Sequence, residues 1–205
     1  TAGEIIFEGK DLAALGRGEM VDVRKRMQVI FQDPYSSLNP RMTVGQIIAE
    51  PMRVHGILPK DKIDDRVSEL LQLVGLYPYM AVRYPHELSG GQRQRVGIAR
   101  ALSVNPQVIV CDEAVSALDV SVQAQVLKLL EEIQAKLNLA ILFITHDLRV
   151  AAQICDRVLV MQHGIVVEQG LTRDVFRAPA HEYTRKLLAS APGREFHFAS
   201  SAVAA

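Results

Sequence analysis

The sequence predicts an α/β fold, and three observations carry that prediction. Two short continuous apolar runs, residues 107–111 and 140–145, have the length and composition of parallel strands buried on both faces. Apolar residues recur at helical spacing on either side of the first run, at Ile63, Val67, Leu70, Leu71 and Val74, and again at Val122, Val126, Leu129, Leu130, Ile133 and Leu137. Each apolar run ends in reactive side chains, Asp112 and Glu113 after the first and His146 after the second. The carboxyl ends of parallel strands are where open α/β sheets bind ligands.

Composition sets the outer bounds. The chain has 205 residues, enough for one or two domains with a sizeable core. Its 23 basic and 23 acidic residues cancel, so no field of one sign argues for nucleic acid or an anionic membrane surface. No apolar run approaches the roughly 20 residues of a membrane helix, and no signal-peptide pattern is visible; a soluble chain that docks on other proteins is expected. The two cysteines, Cys111 and Cys155, lie in apolar stretches without zinc spacing and read as small buried hydrophobes of a reducing compartment.

In chain order, residues 5–7 form a strand and Gly9-Lys10-Asp11 a turn. Residues 20–26 are a charged connector. A strand over 27–31 ends at Gln32, because Pro34 cannot donate to a ladder. Residues 35–44 are turn-rich. Thr43 caps a helix over 44–53 that Pro51 kinks or ends. The helix from Asp61 stops at Gly75, and 77–87 is a lead-in loop. The helix from Asp119 ends at Asn138, and a short helix spans 148–155. Strands over 157–161 and 165–169 turn at Gln162-His163-Gly164. Thr172 caps 173–177, Ala178-Pro179 interrupts, a helix covers 181–190, and the tail from Ala191 is expected to be disordered.

The stretch from 88 to 92 reads Leu-Ser-Gly-Gly-Gln. Two glycines inside a helix would each cost about 1 kcal/mol relative to alanine, but at a helix tip they leave N–H groups open. Ser89 is the N-cap, and the positive end of the helix dipole attracts an anion. Arg93 and Arg95 add charge, with Gln92 and Gln94 as donors. Two readings stand on these residues alone: a phosphate-binding helix tip, and an ordinary serine-capped helix. Taken singly, Gln32, the Asp112-Glu113 pair and His146 each have a structural role open to them as well.

The motifs together resemble the ABC (ATP-binding cassette) ATPases. The signature at 88–92 matches letter for letter, and Val29-Ile30-Phe31-Gln32-Asp33-Pro34, Asp112-Glu113, Ser116-Ala117-Leu118-Asp119 and Thr145-His146-Asp147 follow the family's order and spacing. The resemblance covers the chain from Gly3 to about Ala189. Residues 35–44 and 176–188 are similar to the peptide and nickel importer branch. The fold implied is a P-loop NTPase-like core sheet with a helical signature subdomain. The implied divisions are a nucleotide-core β region (1–34), the glutamine loop and signature subdomain (35–103), a RecA-like core with Walker B, D-loop and H-loop (104–170), and C-terminal helices with a tail (171–205).

The resemblance implies Glu113 as the residue polarising the attacking water, with His146 and Gln32 beside it in catalysis. Asp112 and Gln32 are implied for Mg2+, and Ser89, Gly90, Gly91 and Gln92 for ATP bound on a partner cassette. Ser116 and Asp119 are implied in coupling the two sites. ATP and Mg2+ are the implied ligands. The implied partners are a second ATPase subunit in a head-to-tail pair, membrane permease subunits and a solute-binding protein, with no nucleic acid, on the cytoplasmic face of the membrane. Some branch members carry a cysteine-rich iron–sulfur extension; no cysteine follows Cys155, so none is expected. The run G-x-x-x-x-G-K-[ST], which would cradle ATP phosphates, is absent from the sequence. The expectation is a fragment of a longer ATPase, cut after the P-loop helix and inactive alone. Two rival readings are a non-transport ABC ATPase of translation or DNA repair and a non-catalytic module presenting the signature. The lack of a sustained heptad run weighs against a repair protein.

Overall fold

A computed structural model describes residues 3–191, 196 and 198. The chain divides into two compact units, Thr1–Leu142 and Phe143–Ala205.

The first unit opens with strands β1 (Ile6–Phe7) and β2 (Lys10–Asp11), paired antiparallel. The turn between them uses positive φ at Glu8 (48°) and Gly9 (76°), so Lys10 and Asp11 are strand residues rather than turn residues. The expected charged connector is a helix, α1 (Arg17–Arg26). Its Glu19 side chain accepts the Gly16 N–H at 3.2 Å. Its last turn carries Arg24, Lys25 and Arg26 at the negative end of the dipole. Charge placement sustains a helix here with Val23 its one buried residue.

Strand β3 (Met27–Ile30) leads into the loop at Gln32. Thr43 caps α2 (Val44–His55) in a reciprocal box with Gln46. Pro51 does not end this helix, which runs on to His55. Met52 and Ile48, on either side of it, are both 0 % exposed; their burial outweighs the single backbone bond that proline removes. Helix α3 (Ile63–Leu73) buries Ile63, Val67, Leu70 and Leu71 as its spacing predicts, and Gly75 takes the left-handed conformation after it (φ 71°).

Helix α4 (Gly90–Leu102) carries the glycine pair at its tip. Strand β4 (Val108–Asp112) pairs parallel to β3, with Val29 opposite Val110 and Ile30 opposite Cys111. Helix α5 (Val120–Leu137) ends at Asn138 in the left-handed conformation. Strand β5 (Ala140–Ile144) completes a three-stranded sheet in the order β3-β4-β5. Among the described residues the two faces of this sheet differ in exposure. Ile30, Ile109 and Cys111 are buried, whereas Val29 and Phe31 on the opposite face of β3 are 36 % and 51 % exposed. An apolar run shows that a strand lacks a polar face; which of its faces is covered depends on the layers around it.

The second unit contains α6 (Leu148–Ile154), β6 (Arg157–Gln162), β7 (Ile165–Leu171), α7 (Thr172–Arg177) and α8 (Glu182–Ser190). β6 and β7 form an antiparallel hairpin that is its own two-stranded sheet among the described residues. Its turn at His163 and Gly164 has positive φ at both positions. Thr172 is not a cap: its hydroxyl donates to the Cys155 carbonyl. The Glu168 carboxylate anchors the start of α8 by accepting the Ala180 and His181 N–H groups. Burial, then the neighbouring Asp156, pushes the Cys155 thiol up to about 11, as befits a structural cysteine. Most of the tail expected to be disordered lies outside the described residues.

Candidate functional site

Gln32 and Glu113 are separated by 81 residues and joined by a hydrogen bond: Gln32 Nε2 donates to Glu113 Oε2 at 2.8 Å. Parallel pairing of β3 and β4 makes this possible. Matched register brings both strands out at the same end of the sheet, so the residues just past each strand meet. The bond also fixes the amide of Gln32, directing its Nε2 to Glu113 and leaving Oε1 for another partner.

Glu113 has φ 48°, a left-handed conformation that costs a non-glycine residue roughly 1–2 kcal/mol. The Ser116 N–H and hydroxyl both donate to the Glu113 carbonyl at 3.0 Å and hold the turn in that shape. Backbone strain of this kind clusters at functional sites. Asp112, the last residue of β4, is exposed at the same sheet end.

The donor set fits a hard cation of the magnesium type. Asp112 offers a carboxylate and Gln32 an amide oxygen, an all-oxygen set. Among the described residues no cluster of three or more His, Cys, Asp or Glu gathers around a metal position.

At the tip of α4, Ser89 and Gln92 form a reciprocal box. Gln92 Oε1 accepts the Ser89 N–H at 2.9 Å, and Ser89 Oγ accepts the Gln92 N–H at 3.3 Å. The Gly90 and Gly91 N–H groups lie outside that box, and the Ser89 hydroxyl keeps its proton to donate. The Ser-x-x-Gln spacing at 89–92 is the signal that could have shown this. The two glycines differ. A Cβ at Gly90 would stand 3.6 Å from Leu118 Cδ2, in ordinary contact, but one at Gly91 would fall 2.4 Å from Val122 Cγ1. Close packing of α4 on α5, rather than access for an anion, is what excludes a side chain at Gly91.

The charges expected at this tip are directed elsewhere. Arg93 donates from Nε to the Pro85 carbonyl at 2.8 Å, Arg95 donates to the Val74 carbonyl at 2.7 Å, and Gln94 is buried. The Pro85 carbonyl also accepts the Leu88 N–H, and Val74 directly follows α3; the arginines of α4 tie both segments to the helix. The structure therefore adds to the sequence reading a set of arginine contacts to loops, including Arg100 to the Ser37 carbonyl. Their signal in the sequence is the recurrence of Arg93 and Arg100 on one helix face.

Asp119 is the N-cap of α5: its carboxylate accepts the Val122 N–H at 3.0 Å and the Ser121 hydroxyl at 2.7 Å. Those bonds, Val122 first, hold its carboxyl below the usual carboxylate range. A depressed folded pKa gives stability that is present above the unfolded value and lost as pH falls through the folded one. Acidification below about pH 4 therefore loosens the first turn of α5. We expect the Val122 amide resonance to titrate in this range and to stop titrating in Asp119→Asn; a flat Val122 resonance in the native chain would contradict the cap.

His146 stands in the second unit, exposed just after β5. It lines a cleft of about 370 Å³ with Asp147, Arg149, Leu187 and Ser190 among its neighbours. Asp147 caps α6 through the Arg149 N–H at 2.9 Å and pairs with the Arg149 guanidinium at 3.1 Å. Burial pushes the Asp147 carboxyl up, but the bonds from Arg149 outweigh it and the carboxyl sits below its usual range.

The profile of the family described as ABC transporter matches residues 1–116. The glutathione import ATP-binding protein GsiA of Escherichia coli (strain K12) is 54% identical over 193 residues, 94% of this chain and 31% of that protein. GsiA of Salmonella typhi is 54% identical over 190 residues, 93% of this chain and 30% of that protein. The chain thus spans under a third of the length of these curated relatives. Among solved structures, CbiO1 from Clostridium perfringens, described as part of the ABC transporter complex CbiONQ, superposes with a TM-score of 0.78 at 33% identity, covering 93% of this chain and 73% of that one. The dimeric, post-hydrolysis state of the ATP-binding cassette MJ0796, bound to ADP and Pi, gives 0.72 at 28% identity, covering 84% and 75%. With more than half its residues inside the family profile, the chain belongs to the ABC transporter family and has the fold of an ATP-binding cassette.

Proposed function

We propose that this chain is the catalytic and signature part of an import ATPase for short peptides, the tripeptide glutathione among them. The observation that carries the reading is the Gln32–Glu113 hydrogen bond, which assembles a carboxylate base and its amide partner at the end of a parallel sheet. The glutathione import relatives and the importer-like stretch at 35–44 support the substrate class.

In this reading Glu113 takes the proton of the attacking water, and Gln32 holds the carboxylate in place. Asp112 and the Gln32 amide oxygen hold Mg2+, which supplies charge neutralisation when bound. Ser89, Gly90, Gly91 and Gln92 offer a helix tip to ATP on a second cassette, so that nucleotide stabilises the closed pair. Ser116 and Asp119 shape the turn between Glu113 and α5 that faces the partner cassette. His146 is assigned the phosphate-orienting role on its motif alone. Closure moves permease subunits fed by a solute-binding protein, with this chain peripheral on the cytoplasmic face.

No G-x-x-x-x-G-K-[ST] run, the pattern that cradles ATP phosphates, is present in the 205 residues. The 205-residue chain is expected to give no ATP turnover above the blank. Mg2+-dependent turnover by this chain that disappears in Glu113→Gln would overturn that expectation.

A further inference from the structure

Helix α4 links two things that the proposed function places at different ATP sites. Its tip serves nucleotide on the partner cassette, while Gln32 and Glu113 serve nucleotide on the chain's own core. Between them, α4 carries Arg93 and Arg100 seven residues apart, on one face and about 10 Å along the axis. Both reach the loop that follows Gln32.

Arg100 donates from Nη1 to the Ser37 carbonyl. Its guanidinium is drawn into the interior, where burial lowers its pKa and Glu50 of α2 opposes that shift. Arg93 donates to the Pro85 carbonyl and lies 5.0 Å from the centroid of the Tyr35 ring. The loop is itself tied back to the residue after Gln32: the Asp33 carboxylate accepts the Tyr35 N–H at 2.8 Å, and the Asp33 carbonyl accepts the Ser37 N–H at 3.2 Å. Leu38, next along, is 1 % exposed. A charged donor on a partly buried carbonyl forms one of the stronger protein hydrogen bonds. A loop held in this way shifts with α4 rather than independently of it.

We propose that Arg93 and Arg100 are positioning residues that transmit engagement of the α4 tip to the Gln32–Glu113 pair, and so couple the two ATP sites of a cassette dimer. The inference rests on the proposed ATPase function and adds to it a route between the sites. Physically, it needs a rigid element biased at one end and read at the other, which α4 and its loop supply.

The test uses the natural protein as it assembles with its partner subunits. ATPase rate is measured against ATP concentration for wild type, Arg100→Lys, Arg93→Lys and Tyr35→Leu, with Tyr35→Phe as the conservative control. The three disruptive variants keep KM for ATP within about twofold, lower kcat about 5- to 100-fold and bring the Hill coefficient to one, the range of an ordinary coupling between sites. Tyr35→Phe, which keeps the ring beneath Arg93, retains wild-type kinetics. Tyr35 is 59 % exposed, so its leucine variant decides the matter even if an Arg100 variant fails to fold. Variants with an unchanged Hill coefficient overturn the coupling role, whether or not kcat falls, as does a wild type that hydrolyses ATP without cooperativity. A wild type that hydrolyses no ATP overturns the proposed function and this inference together.

Discussion

Replacing Glu113 by glutamine in the natural protein lowers ATP turnover by about a hundredfold or more and leaves ATP binding intact. The magnitude is that of removing a positioned general base, about 10²–10⁴ in rate. The geometry makes this substitution clean. Glu113 accepts the Gln32 Nε2 hydrogen at 2.8 Å, and the carbonyl oxygen of a glutamine in its place accepts the same bond. The residue at 113 stays at φ 48° in both forms, so backbone strain is unchanged. Only the capacity to take a proton is lost. Turnover measured beside nucleotide binding checks this: a variant within fivefold of wild-type turnover would show that Glu113 is not the base. Glu113→Ala should also lose the anchor for Gln32 and fall at least as far.

Gly91→Ala destabilises the fold, although the substitution removes a glycine from a helix. Helix propensity alone favours alanine by about 1 kcal/mol. The new Cβ would stand 2.4 Å from Val122 Cγ1, and a β-branched side chain in a helix has little freedom to turn away. Overpacking of this kind costs about 1–3 kcal/mol; set against a propensity gain of about 1 kcal/mol, the net loss is up to about 2 kcal/mol. For a chain of this size that lowers the melting temperature by about 2–4 °C per kcal/mol. Val122→Ala removes the clashing methyl and should restore most of the loss in the double variant, a coupling visible in a double-mutant cycle. Thermal melts of the four proteins decide it; a Gly91→Ala protein that melts at or above wild type would refute the packing account.

The same glycine shows how far a sequence reading goes. Two adjacent glycines after Ser89 mark a helix tip, and α4 begins at Gly90 as the spacing predicts. The reason for the second glycine could not be read there, because Val122 lies on a different helix. The charges fared likewise. Arg93 and Arg95 follow the tip in sequence, so an anion site was the natural expectation; in the fold they donate to the Pro85 and Val74 carbonyls. Pro51 is a third case, since local backbone chemistry predicts a kink or an end, and with Ile48 and Met52 buried the helix runs on to His55.

Periodicity and capping residues were properties of the chain alone. They determined the α/β class, most of the helices and strands, the ends of α3 and α5 at Gly75 and Asn138, and Ser89 as a helix cap; the roles of Gln32, Asp112 and Glu113 came from the resemblance to the ABC ATPases. Periodicity and caps depend on residues a few positions apart, which local backbone geometry brings together in any context. Only the tertiary structure decided that Gln32 reaches Glu113 and that the arginines of α4 hold the loop after β3. Those contacts join residues tens of positions apart, and their partners are set by strand register and helix packing rather than by local sequence.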